Sequence, residues 1–109
     1  MRKIVLNCQY GGFNLTDRAI ELYASLSGLR LTKISTRHYI HYEENGKYFN
    51  YRNIARDDPN LVKVVEMLGR EAGGRLSTLK IIEIPENVEW EIGDYDGGEW
   101  VAEKHRKWY

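Results

Sequence analysis

The sequence holds a single cysteine, Cys8, no excess of charge of either sign and no long apolar run in its 109 residues. One cysteine excludes an intramolecular disulfide and a zinc site built on cysteines. Because 16 cations balance 16 anions, no net field attracts duplex DNA or an anionic membrane, and any anion binding must be local. The first apolar run, residues 4–6, is too short for a signal peptide, and no segment reaches the length of a membrane span. We therefore expect a cytoplasmic protein that binds neither duplex nucleic acid nor a membrane.

Aromatic side chains are what the sequence has in excess. It contains eight tyrosines and three tryptophans, while its 42% hydrophobic and 29% charged residues are ordinary for a globular protein. Tyrosine and tryptophan are enriched at interfaces because each joins an apolar body to a polar tip. The length is near the modal size of a domain. The sequence therefore predicts a single domain over residues 1–109 that binds a ligand or a partner.

Apolar periodicity and turn signals predict eight elements. They are a strand at Lys3–Cys8, a helix from its cap Thr16 to Gly28, a hairpin over Arg37–Arg52, a helix starting at Asp58-Pro59 and stopped by Gly73-Gly74, strands at Leu79–Ile84 and Val88–Ile92, and a short helix after Asp96-Gly-Gly98. Caps of Thr or Asp, Pro at the first position and Gly after the end are common helix boundaries. The order β-α-β-β-α-β-β-α predicts an α+β fold, with helices packed on a mainly antiparallel sheet.

The dipeptide Asn45-Gly46 sets the register of the predicted hairpin, because both positions of a type I′ turn need a positive φ. On one face it places Tyr42 opposite Phe49 and Ile40 opposite Tyr51. The other face combines aromatic and polar side chains, namely Tyr39, His41, Tyr48, Asn50 and Arg52. His41 is a candidate ligand contact because it lies on this polar face.

The loop Cys8-Gln-Tyr-Gly-Gly-Phe-Asn14, which we call the Gly-Gly loop, runs from the first strand into the first helix. Consecutive glycines let backbone N–H groups approach an anion, and a helix N-terminus favours negative charge. One interpretation is a nucleotide site formed by Tyr10, Gly11, Gly12, Phe13 and Asn14, with an aromatic ring stacked on a base. The other is a tight turn that the two glycines permit, with both aromatic rings in the core. The loop matches no established phosphate-binding motif.

Other features that suggest chemistry have simpler explanations. His38 and His41 point to opposite faces of a strand and cannot hold one metal ion together. Cys8 ends a core strand, where a thiol is usually an inert apolar group. A nucleophilic role for Cys8, with His41 or His105 as the base, requires that the fold bring them together. We predict no catalytic residue, no metal and no cofactor.

The last residues of the chain combine flat π surfaces with cations. On the predicted helix, Trp100, Lys104 and Trp108 share one face at a spacing of four residues. Trp100 is explained as an anchor of that helix to the sheet, but a terminal turn seldom orders two further aromatic rings without a partner surface. The residues predicted to contact a ligand or another subunit are Lys104, His105, Arg106, Trp108 and Tyr109.

Five longer motifs resemble a widespread family of small tailed-phage proteins. They are Tyr10-Gly-Gly-Phe-Asn-Leu, Asp57-Asp-Pro-Asn-Leu-Val, Leu79-Lys-Ile-Ile-Glu-Ile-Pro, Val88-Glu-Trp-Glu-Ile and Tyr95-Asp-Gly-Gly-Glu-Trp-Val-Ala-Glu-Lys-His-Arg-Lys-Trp. The similarity covers most of the chain apart from Leu29–Asn53. In size and composition the chain is most similar to viral sponges. These are small, oligomeric, non-enzymatic phage proteins that sequester the cyclic nucleotide signals of bacterial immunity, such as those of CBASS or Thoeris defence.

The resemblance implies a homo-oligomer in the cytoplasm of an infected bacterium. Its pockets would lie at subunit interfaces and hold an intact cyclic oligonucleotide or a signal of the cyclic ADP-ribose type. Residue chemistry then assigns base stacking to Tyr10 or Phe13, and phosphate binding to Arg106 with Lys104.

Two other functions stay open. The protein could bind and modulate a host protein through its aromatic C-terminal surface, which offers the residue types that interfaces favour. It could also be a small hydrolase that uses His41, His105 or Cys8.

Overall fold

The computed structural model describes residues 1–75 and 77–104. Its elements are β1 (Arg2–Asn7), α1 (Asp17–Ser27), β2 (Leu31–Ser35), β3 (Ile40–Glu44), β4 (Lys47–Phe49), α2 (Pro59–Leu68), β5 (Leu79–Ile84), β6 (Trp90–Tyr95) and β7 (Gly98–Glu103). Short 3-10 turns lie at Tyr51–Asn53 and Gly69–Glu71. The strands form three antiparallel sheets, β1–β5, β2–β3–β4 and β6–β7. The predicted α+β class is confirmed, whereas the predicted order of elements is only partly right.

The first two predicted helices form and begin at their predicted caps. The Thr16 hydroxyl accepts a hydrogen bond from the Ala19 N–H, and Gly28 ends α1 with a φ of 72°. Asp58 caps α2, with Pro59 in the first turn. A cap satisfies backbone groups within one turn of the same segment, so its residues can be read from the sequence. The predicted stop of α2 at Gly73-Gly74 is wrong, because the chain leaves the helix at Gly69.

The core lies where the two helices meet each other and the β1–β5 sheet. Leu61 and Val64 of α2 and Val5 of β1 are fully buried. Burying side chains of this kind contributes about 1.5–3 kcal/mol each. No helix in the described part of the chain is long and apolar enough to cross a membrane.

The hairpin of β3 and β4 has the predicted turn but is shorter than expected. Tyr42 pairs with Phe49, as predicted, while Asn45 and Gly46 have φ values of 51° and 79°. The predicted pairing of Ile40 with Tyr51 is wrong, because the Asn50 side chain accepts a hydrogen bond from the Arg52 N–H and caps a 3-10 turn instead. Strand β2 was not predicted from the sequence, and it pairs along the other edge of β3.

The element after Asp96-Gly97 is a strand, so the prediction of a C-terminal helix is wrong for residues 98–103. Asp96 and Gly97 have φ values of 52° and 92°, which give the same kind of two-residue hairpin turn as Asn45-Gly46. Trp100 therefore pairs with Gly93 across a ribbon. The helical face predicted to hold Trp100 and Lys104 therefore does not form, because Trp100 lies in β7 and Lys104 follows that strand. His105, Arg106, Trp108 and Tyr109 lie outside the described residues.

Candidate functional site

The Gly-Gly loop and the turn between β6 and β7 lie against each other. The Gly11 N–H donates a hydrogen bond of 3.1 Å to the carbonyl oxygen of Asp96. A Cβ atom placed on Gly97 would lie 2.2 Å from the Gly12 nitrogen, a distance that no side chain tolerates. These glycines therefore permit a close approach of two backbones. The tight-turn interpretation of the loop thus accounts for the Gly11 N–H.

Asn7, at the end of β1, stabilises this junction with its side chain and is completely buried. Its Nδ2 donates to the carbonyl oxygens of Gln9 and Gly97, at 2.6 and 2.7 Å. Its Oδ1 accepts hydrogen bonds from the Thr78 N–H and the Ser77 hydroxyl. One buried amide thus joins β1, the Gly-Gly loop, the segment before β5 and the β6–β7 turn. A buried polar group is stable only when it is satisfied in this way.

A largely buried ion pair lies beside Asn7. Arg56 donates two hydrogen bonds to Glu99, at 2.6 and 2.8 Å, and their side chains are only 16% and 8% exposed. Glu99 also accepts a hydrogen bond from the Asn7 N–H. The Arg56 guanidinium lies 3.7 Å from the centre of the Phe13 ring, which is a close cation–π contact. The pair connects the segment before α2 to strand β7.

These groups form one wall of a cavity of about 510 Å³, within the ~300–1,000 Å³ range of small-molecule sites. We call it the glycine cleft, and the described residues that line it are Gly11, Gly12, Phe13, Arg52, Arg56, Asp94, Asp96, Gly97 and Glu99. Arg56 and Glu99 neutralise each other. Within residues 1–75 and 77–104, Arg52, Asp94 and Asp96 form no ion pair. Among the residues that line the cleft, one arginine and two aspartates therefore carry charges that no ion pair neutralises in the described part of the chain.

The two aromatic residues of the Gly-Gly loop have different environments. Phe13 lines the cleft, but it is 5% exposed and Arg56 covers its ring. Tyr10 is 68% exposed, and its ring lies 3.6 Å from the Cβ position of Gly98. By strand alternation, Gly98 points to the opposite face of the ribbon from Glu99. Tyr10 thus lies on the other side of the hairpin, outside the cleft lining.

Tyr10 belongs to an exposed aromatic surface on the β6–β7 ribbon. Tyr95 pairs with Gly98, so its side chain shares the face that Tyr10 covers. Trp100 lies on the same face, where its indole ring covers Gly93. Tyr95 is 68% exposed and Trp100 50%. We call Tyr10, Tyr95 and Trp100 the aromatic face.

Asn14 and His41 line a different, smaller cavity of about 260 Å³ between β3, β4 and the start of α1. His41 Nε2 lies 3.0 Å from Glu43 Oε2, and the ring is flanked by Tyr39 and Tyr48 at centroid distances of 5.5 and 5.7 Å. Its Nδ1 is buried and has no partner among the described residues. The predicted site therefore divides between two cavities.

Asn14 has a structural role at this second cavity. Its Oδ1 accepts a hydrogen bond of 3.2 Å from the Tyr51 hydroxyl. Tyr42, which also lines the cavity, has its pKa raised by burial, with Asp17 and Glu21 adding to the effect.

Lys104 lies outside both cavities. It is exposed and lines a surface pocket together with Arg2 and Trp90. Its backbone N–H donates a hydrogen bond of 3.0 Å to the carbonyl oxygen of Glu89. Cys8 is also exposed, so the expected core position of this thiol is wrong. Within the two described ranges, no group of three His, Cys, Asp or Glu side chains is placed to hold a metal ion.

The cations of the glycine cleft were not predicted as site residues. Arg52 was assigned only to the polar face of the hairpin, and Arg56 was given no role. Their spacing of four residues in an irregular segment gives no periodic signal. Glu99 falls in the segment that was predicted to form the C-terminal helix. The Asp96-Gly97 dipeptide could have revealed the second hairpin, because it carries the same turn signal as Asn45-Gly46.

The cleft combines a guanidinium held against an aromatic ring, a second guanidinium at its edge, and acceptor-only carboxylates. Such a surface suits a ligand that has both negative charge and polar N–H or O–H groups.

Comparison of the chain with protein-family models, with curated proteins and with solved structures finds no match.

Proposed function

We propose that this protein is a phage sponge, which binds a cyclic nucleotide signal of bacterial immunity in the glycine cleft and does not cleave it. The observation that supports this function is the cleft itself, whose lining combines Arg52, the Phe13–Arg56 stack and the two aspartates Asp94 and Asp96. A nucleotide has phosphate groups, which guanidinium groups bind. It also has N–H and O–H groups on its bases and sugars, which donate hydrogen bonds to carboxylates. The resemblance of the five sequence motifs to small phage proteins supports the same assignment.

Arg52 is the cation available to a phosphate group. It is exposed, it lines the cleft and it forms no ion pair in the described part of the chain. Arg56 is held by Glu99 and Phe13, so its guanidinium offers a fixed flat surface on which a base can stack. A site that is already ordered loses little entropy on binding, which favours tight sequestration.

Sequestration without cleavage agrees with the side chains around the cavity. Among the described residues, the lining contains no Ser, Thr, Cys, His, Lys or Tyr, so the hydroxyl, thiol, imidazole and amine nucleophiles of covalent catalysis are absent from it. His41 lines the other cavity. The proposal therefore predicts that a bound nucleotide is recovered chemically unchanged.

Native mass spectrometry of the purified protein with cyclic dinucleotides, cyclic trinucleotides and cyclic ADP-ribose isomers tests the function. We expect a discrete homo-oligomer that gains one nucleotide type in fixed stoichiometry and releases it intact after denaturation. A protein that binds no member of this panel with a dissociation constant below ~10 μM, or that releases a cleaved product, refutes the sponge function.

Replacing Arg52 by alanine should weaken binding of the identified nucleotide by at least about 10-fold. A hydrogen bond to a charged group contributes about 1.5–3 kcal/mol, which corresponds to roughly 10- to 150-fold in affinity. The matched control is Arg30→Ala, because Arg30 is also an exposed arginine but lies outside the cleft. Titration calorimetry on both variants measures the effect. Equal affinities of the two variants would place the ligand elsewhere on the protein.

The proposal includes self-association through the aromatic face. Exposed aromatic clusters of this kind mark interaction sites more often than open solvent surface. Tyr95→Ala should lower the oligomeric state in native mass spectrometry. Tyr48→Ala should not, although Tyr48 has the same 68% exposure. An oligomer that withstands Tyr95→Ala refutes this interface.

A second candidate function is the modulation of a host protein, which would use the same aromatic face. The observation that favours it is the exposure of Tyr95 and Trp100 on one side of a two-stranded ribbon. In a pull-down from the bacterial host, a stable partner retained by Tyr48→Ala and lost with Tyr95→Ala supports this function. It replaces the sponge function only if the nucleotide panel also fails to bind.

A further inference from the structure

We propose that Asp94 and Asp96 recognise the Watson–Crick edge of a guanine base, so that the signal held in the glycine cleft is a guanine-containing cyclic nucleotide. The inference rests on the proposed sponge function and deepens it by naming the base. It is carried by the balance of charge inside the cleft and by the geometry of the β6–β7 ribbon, which places both carboxylates along one cavity.

The charges of the cleft do not favour an anion unless the carboxylates have a role. Glu99 accepts hydrogen bonds from Arg56 and from the Asn7 N–H, so these groups are already satisfied. Of the remaining charged residues that line the cleft, Arg52 is positive and Asp94 and Asp96 are negative, which leaves one positive and two negative charges for the ligand. A cyclic dinucleotide carries two negative phosphates, and it would be repelled by this surface if no other part of the ligand bound the carboxylates.

Asp94 also occupies an unfavourable position in the protein without ligand. It pairs directly with Glu99 across the β6–β7 ribbon, so two carboxylates lie on the same face at adjacent positions. Like charges placed directly opposite each other destabilise a strand pair. Arg56 compensates Glu99, while Asp94 has no ion-pair partner within the described residues. A ligand that donates hydrogen bonds to Asp94 would supply the missing compensation.

Guanine is the base whose edge fits a carboxylate. Its N1–H and N2–H groups are two adjacent donors, and an ionised carboxylate has two acceptor oxygens and no donor. Adenine and cytosine each place an acceptor nitrogen beside their amino group. Uracil places a carbonyl oxygen on each side of its N3–H. A carboxylate facing any of these edges leaves an acceptor against an acceptor, which sites built on hydrogen bonds reject strongly.

Binding of three cyclic dinucleotides to the wild-type protein provides the first test. We expect cyclic di-GMP and cyclic GMP–AMP to bind at least about 5-fold tighter than cyclic di-AMP, because a bidentate contact discriminates by about 5- to 150-fold. Cyclic di-IMP, which lacks the N2 amino group, should lose most of this advantage. Tighter binding of cyclic di-AMP leaves the sponge function standing and overturns the inference. The absence of binding by every nucleotide overturns both.

The variants Asp94→Asn and Asp96→Asn test the residues themselves. Each should weaken binding of cyclic di-GMP by at least about 5-fold and reduce its advantage over cyclic di-AMP. Asparagine tolerates the positive φ of 52° at position 96. Asp94→Asn should also leave the melting temperature unchanged or raise it, because it removes the repulsion from Glu99.

The control is Glu91→Gln, which removes a negative charge from the same ribbon but outside the cleft lining. It should leave the affinities for cyclic di-GMP and cyclic di-AMP within about twofold of wild type, because exposed charges at a distance are screened. If Asp94→Asn and Asp96→Asn behave like this control, or if they tighten binding of every nucleotide equally, guanine recognition by these carboxylates is refuted.

Discussion

Replacing Arg56 by alanine should lower the free energy of unfolding by about 3–5 kcal/mol, because it leaves a buried carboxylate without its partner. The Glu99 side chain is 8% exposed and receives two hydrogen bonds from Arg56. Arg56 also donates a hydrogen bond of 3.2 Å to the Val5 carbonyl oxygen, and its guanidinium covers the Phe13 ring. Since domains of this size are stable by about 5–15 kcal/mol, the variant should lose a large part of its stability. Urea denaturation followed by tryptophan fluorescence measures the change.

An exposed ion pair provides the comparison for Arg56. Arg18 bonds to Glu71, with side chains that are 70% and 65% exposed, and exposed pairs contribute about 0–1 kcal/mol. Arg18→Ala should therefore change the unfolding free energy by less than about 1 kcal/mol. A result in which the Arg56 and Arg18 variants lose similar stability would show that the Arg56–Glu99 pair does not hold the ribbon to the body of the protein.

Replacing Gly97 by alanine should separate the Gly-Gly loop from the β6–β7 turn and remove ligand binding in the cleft. The new Cβ would lie 2.2 Å from the Gly12 nitrogen and 2.7 Å from the Gly11 nitrogen. Both contacts are with backbone, which cannot move aside as a flexible side chain can. The φ of +92° adds strain for any residue with a Cβ. The hydrogen bonds from Gly11 to Asp96 and from Asn7 to Gly97 depend on this approach.

Gly46→Ala is the matched control for Gly97→Ala. Gly46 holds the same position in the other two-residue hairpin turn, has a φ of +79° and has nothing within 4 Å of its Cβ position. We expect its alanine variant to lose only the conformational cost of about 1–2 kcal/mol. Gly97→Ala should lose about 1–3 kcal/mol more, which is the usual cost of forced overpacking. Thermal denaturation of both variants gives the difference, and equal losses would mean that the close approach contributes nothing.

The features of the fold that could be predicted depend on residues close together in the chain. Thr16 and Asp58 cap helices because their side chains reach N–H groups within the next turn. Asn45-Gly46 sets the pairing of Tyr42 with Phe49 because a two-residue turn leaves one register. The C-terminal helix was predicted wrongly where two local signals competed. Aromatic and cationic residues at a spacing of four were taken as one face of a helix, although the Asp96-Gly97 turn decides the structure.

Less of the candidate site could be predicted, because it joins segments far apart in the sequence. The Gly-Gly loop was identified, but not the hairpin turn that lies on it. Tyr10 is exposed because it lies on the outer face of the β6–β7 ribbon, whereas Phe13 is buried in the core beneath Arg56. No periodicity in the sequence indicates this difference.

The sequence by itself determined the α+β class, two helix starts and the turn of the β3–β4 hairpin, since each depends on backbone chemistry within a few residues. It also set the balance of 16 cations and 16 anions that confines anion binding to local sites. Only the tertiary structure decided which charges neutralise each other and which face the cleft. Arg56 pairs with Glu99 at a separation of 43 residues, because packing β1, the segment before α2 and β7 together excludes water from both groups. That packing leaves Arg52, Asp94 and Asp96 to face the cleft.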